Sequence, residues 1–108
     1  MRVVTELVRM KVKETVSKAD FIEIVDDLEC AFHSKQSGFI DTELLYDEKE
    51  NVWIMIQHWA SLDQMKLSSA NMFRDSATEV FRDAIDPKSV SISVFPVLQT
   101  WRNKILNE

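Results

Sequence analysis

The sequence predicts an α+β chain of order βαββαβ, its four strands forming an antiparallel sheet with both helical regions on one face. Three observations carry this expectation. Apolar residues recur with strand-like or helical spacing in stretches that alternate in that order. Each helical stretch opens on a serine with a capping partner three positions on. The third strand, VWIMIQHW (Val52 to Trp59), is apolar at both parities, so both of its faces need cover.

Val3 to Val12 alternates, with Val4, Val8, Met10 and Val12 on one face and Val3, Leu7, Arg9 and Lys11 on the other. Ser17 then opens SKADFIEIVDDLECAFHSKQSG, with Asp20 as its capping partner. Phe21, Ile24, Val25, Leu28 and Phe32 follow at helical spacing, and Gly38, the only glycine, is expected to terminate that helix. FIDTELLY (Phe39 to Tyr46) reads as the second strand. The charged turn DEKEN joins it to the third as a hairpin. Ser61 with Gln64 starts the second helical region, whose stripe is Leu62, Met65, Phe73, Ala77, Val80, Phe81 and Ala84. SSAN (Ser68 to Asn71) is the expected break in it. VSISVFPVLQTW is the fourth strand, where Pro96 argues for a bulge or a change of pairing partner.

At 108 residues the chain is expected to form one domain over residues 1–98, with an extension over 99–108. A net charge of −5 without a basic cluster argues against nucleic acid, whose phosphates need a positive surface. It argues equally against anionic lipid. No apolar run approaches the roughly 20 residues that span a bilayer. The start MRVVTELVRMKVK lacks a signal peptide's apolar centre. One cysteine, Cys30, suits a reducing compartment, so the cytoplasm is the expected location.

Right-handed crossovers put both helical regions on one face of the sheet. In the third strand Val52, Ile54 and Ile56 point one way and Trp53, Met55 and Trp59 the other. The uncovered face is expected to pack on a second copy in a twofold homodimer, which would also account for the three tryptophans. The apolar end segment VLQTWRNKIL is expected to pair with or lie across the partner subunit, the alternative being a helix docked within one monomer.

The stretch SGFIDTELLYDEKENVWIMIQHWASLDQMKLSSANMF carries a resemblance. A glycine before the second strand, a glutamate-leucine run, an acidic hairpin turn, an apolar strand ending in tryptophan, a serine link and a helix broken before a phenylalanine are its elements. Gly38, Glu43, Leu44, Trp59, Ser61 and Phe73 fill those places. In this pattern, over about Val3 to Val97, the chain resembles the dimeric α/β-barrel superfamily, in particular the antibiotic biosynthesis monooxygenase (ABM) domain family. It departs from that family at Gln57, where a glutamate is usual, and at Asn71, near a position where many members carry histidine. The resemblance implies a small ferredoxin-like homodimer, a dimeric α/β barrel, with a pocket between sheet and helices. Some relatives oxygenate quinols or anthrones without flavin or metal; others cleave heme, isomerise small signalling molecules or have no known activity. The residues used by heme-degrading members map to Val8, to Leu67 or Met65, and to Ala77, which disfavours that route.

Side-chain chemistry supplies the candidate roles. His58 is the leading catalytic candidate, because imidazole exchanges a proton near neutral pH and sits at a strand end. Asn71 is the second, since an amide can stabilise a developing oxyanion. Trp53, Trp59, Met65 and Phe73 are the candidate substrate-binding walls. Plainer roles compete with each: a rim histidine, a cap at SSAN, and core packing. Ser91 and Ser93 leave a small-residue stripe on the last strand, and Asp41 with Glu43 reads as a rim or salt-bridge feature. Cys30 and His33 lack a third group to make a nucleophilic pair. No metal-ligand spacing or glycine-rich phosphate loop is present in the sequence. The expected function is a cofactor-independent monooxygenase acting on a small aromatic substrate of the quinol or anthrone type. The alternative is a non-catalytic dimeric small-molecule-binding or stress-related protein, favoured by Gln57 and the missing family histidine.

Overall fold

The computed structural model describes residues 2–103. The elements are β1 (Val4–Met10), α1 (Lys18–Ala31), β2 (Phe39–Asp47), β3 (Val52–Trp59), α2 (Leu62–Met72), α3 (Glu79–Ala84) and β4 (Ser91–Pro96). Short 3-10 turns lie at His33–Lys35, Ser76–Thr78 and Pro87–Ser89. The four strands form one antiparallel sheet in the order β2-β3-β1-β4, the ferredoxin-like arrangement the sequence predicts.

The caps form as the sequence predicts. Ser17 Oγ accepts from the Asp20 N–H at 3.1 Å, and Ser61 Oγ accepts from the Gln64 N–H at 3.2 Å. Each satisfies a donor that the first helical turn leaves without an intrahelical partner. Two boundaries differ. The first helix ends at Ala31 and passes through a 3-10 turn, so Gly38 does not cap it. The second helical region runs through Ser68–Asn71 and breaks after Met72 instead. Ser68 is buried there, so packing overrides its weak helical propensity. Pro96 is the last residue of an edge strand, where its missing N–H costs no ladder bond.

Register sorts the strands into two faces, because directly paired residues point the same way. Trp53, Met55, Gln57 and Trp59 pair with Met10, Val8, Glu6 and Val4, and all of these face the helices. Their packing partners include Phe21, Val25 and Leu28 of α1 and Phe81 and Ala84 of α3. Trp53 is held between Phe21 and Tyr46, with ring centroids at 4.8 and 4.7 Å. Trp53 and Trp59 are therefore buried within the single chain, which removes two of the three tryptophans from any account by interface burial. The opposite face carries Leu7, Ile54, Ile56 and Leu45, ringed by Arg9, Glu43, Asp41 and His58. Among the described residues no helix covers that face.

After β4 the chain continues with one backbone bond, Val97 N–H to Val3 C=O at 2.9 Å. Leu98 and Trp101 are then exposed, Trp101 at 84%. The rest of the end segment, 104–108, lies outside the described residues.

Gly38 has a different task from ending a helix. Its φ of 82° is open to glycine, and its carbonyl accepts from Ala60 N–H at 2.7 Å, joining the start of β2 to the end of β3. A Cβ there would lie 2.3 Å from Gln64 Oε1 and 2.8 Å from Gln64 Cβ. The capping glutamine of α2 thus fills the space that any side chain at Gly38 would need. Gly38→Ala should cost about 1–3 kcal/mol, read as a lower urea midpoint with an unchanged slope.

Candidate active site

Three polar side chains lie in one row across the helix-facing side of the sheet. Thr42 on β2 pairs with Gln57 on β3, and Gln57 pairs with Glu6 on β1. On either side of the row the rungs are apolar: Val4 with Trp59, and Val8 with Met55. Polar groups in such a place need partners, since each one left bare costs about 1–3 kcal/mol. Gln57 Nε2 donates to Thr42 Oγ1 at 2.9 Å, and Trp59 Nε1 donates to Glu6 Oε1 at 3.1 Å.

Glu6 is 5% exposed. Burial pushes its carboxyl above the ordinary value of 4.5; the Trp59 N–H and the charge of His33 pull the other way without cancelling the rise. Oε1 is taken by Trp59.

His33 reaches the same place from the other layer. It follows α1 in the 3-10 turn and is 3% exposed. Its ring stacks on Phe39 at 5.7 Å and meets the edges of Phe32 and Trp59 at 5.1 and 6.1 Å. Nδ1 pairs with Oε2 of Glu29, one helical turn earlier. A carboxylate can only accept, so this pairing sets a proton on Nδ1 and leaves Nε2 as the basic nitrogen. Gln57 Nε2 stands 3.2 Å from His33 Nδ1, which puts imidazole, amide and buried carboxyl side by side.

A cavity of about 540 Å³ opens onto this row between sheet and helices. Glu6, His33, Gln57 and Trp59 line its polar end. Val8, Met10 and Met55 form the sheet wall, Met72 and Phe81 the helix wall, and Val90 and Ile92 a side. Phe73, 75% exposed, lies where the helical region breaks, and Arg82 and Asp83 of α3 also line the space. The Arg82 Nε–H donates to Thr78 Oγ1 at 2.9 Å. A flat apolar molecule fits such walls, with its oxygenated edge toward the row.

Of the residues singled out from the sequence, Trp59 and Phe73 line this cavity. His58 does not. It alternates with Gln57 and Trp59, so it points through the opposite face, where Nδ1 is 2.6 Å from Asp41 Oδ1. Asn71 lies outside too, its Nδ2 donating to Gln36 Oε1 at 3.2 Å beside a shallow cleft. Trp53 is core packing, and Met65 packs against Val4 and Trp59 without lining the cavity. Cys30 is exposed, apart from buried His33. Asp41 and Glu43 are exposed on the outer face, as a rim pair would be.

Glu6, Gln57 and His33 are the residues that the sequence argument left without a role. The available signal was parity: Glu6 alternates with Val4, Val8 and Met10, and Gln57 with Met55 and Trp59. A polar residue in step with a buried stripe is either paired or functional.

The shifted carboxyl has a consequence for stability. Well below pH 4.5, Glu6 is neutral whether the chain is folded or unfolded. At higher pH the unfolded chain releases its proton before the folded chain does, so stability falls until the folded value is passed. Glu6→Gln removes that loss while keeping an acceptor for Trp59. Urea unfolding should show the variant gaining on the wild type as the pH rises above about 4.5.

The family model described as "Antibiotic biosynthesis monooxygenase" matches residues 3–86. Among solved structures, the chain is similar to SnoaB, a cofactor-independent oxygenase from Streptomyces nogalater. The identity is 22% and the TM-score 0.72, over 95% of this chain and 100% of SnoaB. It is also similar to a conserved protein from Methanosarcina mazei, with 15% identity and a TM-score of 0.64 over 88% of this chain and 92% of that one. A protein from Mycobacterium tuberculosis aligns at 10% identity and a TM-score of 0.65, over 91% and 97%. These are likenesses of fold. Comparison with curated proteins gave no sequence match.

Proposed function

This chain belongs to the antibiotic biosynthesis monooxygenase family, and from that premise we propose that it is a cofactor-independent oxygenase for a small aromatic substrate of the quinol or anthrone type. The observation that carries the reading is His33: an imidazole in the wall of an apolar cavity, its Nδ1 held by Glu29 and its Nε2 left for a ligand. The likeness to SnoaB, a cofactor-independent oxygenase, supports the reaction type.

In this reading the substrate slides between the sheet wall and the helix wall, and the cavity strips water from it. His33 Nε2 takes a proton from the phenol or from the activated carbon. The resulting anion is electron-rich and gives its electrons directly to dioxygen. Excluding water serves this step, because the anion would otherwise be stabilised by solvation and reprotonated. The base is His33 rather than His58, since His58 lies across the sheet from the cavity.

The same reading includes a homodimer, supported by the uncovered sheet face. Leu7, Ile54 and Ile56 would meet their twofold mates, with the polar ring of Arg9, Glu43 and Asp41 at the margin. A cytoplasmic setting fits the free thiol of Cys30. Among the described residues no helix is long and apolar enough to cross a membrane.

Oxygen uptake with a panel of quinols and anthrones, without added cofactor and corrected for autoxidation, tests the reaction. Saturable uptake is expected. His33→Ala should lower it by roughly 10²-fold or more, and His58→Ala should leave it unchanged. Wild-type uptake no faster than autoxidation across the panel would refute the oxygenase reading. Light scattering tests the assembly: a dimeric mass is expected, and Ile56→Lys should reduce it to the monomer's. A monomeric wild type at micromolar concentration would sink the dimer alone.

A further inference from the structure

We propose that Glu6 is a second catalytic residue, the general acid that delivers a proton to the departing oxygen when the O–O bond breaks. This rests on the oxygenase reading. Its basis is the arrangement of the row: Glu6 and His33 line one end of one cavity, on either side of Gln57 and Trp59. A base alone completes half of the chemistry.

The proton balance shows why. A base removes one proton from the reacting CH₂ carbon, and the carbanion adds dioxygen to give a peroxide anion. One proton converts that anion to the hydroperoxide. The second C–H proton is then lost, its electron pair forms the C=O bond, and the O–O bond breaks. The outer oxygen leaves as hydroxide and takes up a proton to become water. Carbon is oxidised from CH₂ to C=O, and dioxygen is reduced to the ketone oxygen and one water. Two protons leave carbon and two arrive on oxygen, so the cavity needs a donor as well as an acceptor. Hydroxide is a poor leaving group in an apolar site, and protonation as it leaves removes that obstacle.

Glu6 has the attributes of that donor. Trp59 Nε1 holds Oε1 and fixes the carboxyl group, and Glu6 lines the cavity. Burial keeps the proton on the carboxyl above the ordinary range. The charged or titratable groups nearest to it are His33 of the 3-10 turn, Glu29 behind His33, and Arg82 and Asp83 across the cavity on α3. His33, once protonated, is the local source from which Glu6 is recharged.

The test uses the full chain, a dihydroxyanthrone as probe, and three readouts: oxygen consumed, ketone formed and organic hydroperoxide released. In Glu6→Gln, ketone formation should fall by roughly 10²-fold. Oxygen uptake should fall less, and the difference should appear as hydroperoxide. Glu6→Asp keeps an acid and should recover part of the ketone yield. In the wild type the ketone share should drop as pH rises through the Glu6 range, because the protonated carboxyl is the active form. A folded Glu6→Gln variant with wild-type partition between ketone and hydroperoxide would overturn the proposal while the oxygenase reading stands. If neither variant folds, a wild-type ketone share independent of pH overturns it instead. No uptake by the wild type overturns both.

Discussion

The constraint on which this structure turns is the burial of a polar row in an apolar sheet face. Thr42, Gln57 and Glu6 sit side by side where their neighbours above and below are valine, methionine and tryptophan. Glu6 and Gln57 are buried, so their hydrogen bonds come from the protein. Trp59 serves Glu6, and Thr42 serves Gln57. The turn after α1 has to bring His33 to the sheet, and Glu29 has to hold it there. Replacing the row with apolar residues would fill the core more simply.

Around the row the two core clusters act as fixed ends. Met10, Phe21, Trp53 and Phe81 close one side, and Val4, Trp59 and Met65 the other. The cavity is the space that neither cluster fills. Trp59 belongs to both structure and site: its ring is core, and its N–H positions a carboxyl. The break between α2 and α3 opens the far wall, leaving Phe73 beside the space rather than packed into it.

Strand β3 serves two surfaces at once. Met55, Gln57 and Trp59 line the cavity, while Ile54, Ile56 and His58 point through the other face. Substitutions one residue apart on this strand therefore act on different properties. A change at Gln57 alters the site, and a change at Ile56 alters the surface available to a partner.

The sequence by itself determined the element order, both serine caps, the hairpin and the alternation that sends the residues of Val52 to Trp59 to two faces, because these follow from local capping and from the period-two alternation of a strand. It also carried the resemblance to the family, through Gly38, Glu43, Leu44, Trp59, Ser61 and Phe73. It marked Trp59 and Phe73 for the cavity and put His58 forward at the strand end, because parity says that Gln57 and His58 diverge and not which of them meets the helices. Tertiary structure alone decided that. Glu6, His33 and Gln57 come from a strand, a turn and another strand far apart in the chain. Their meeting depends on sheet register and on how α1 crosses the sheet, and no local pattern encodes either.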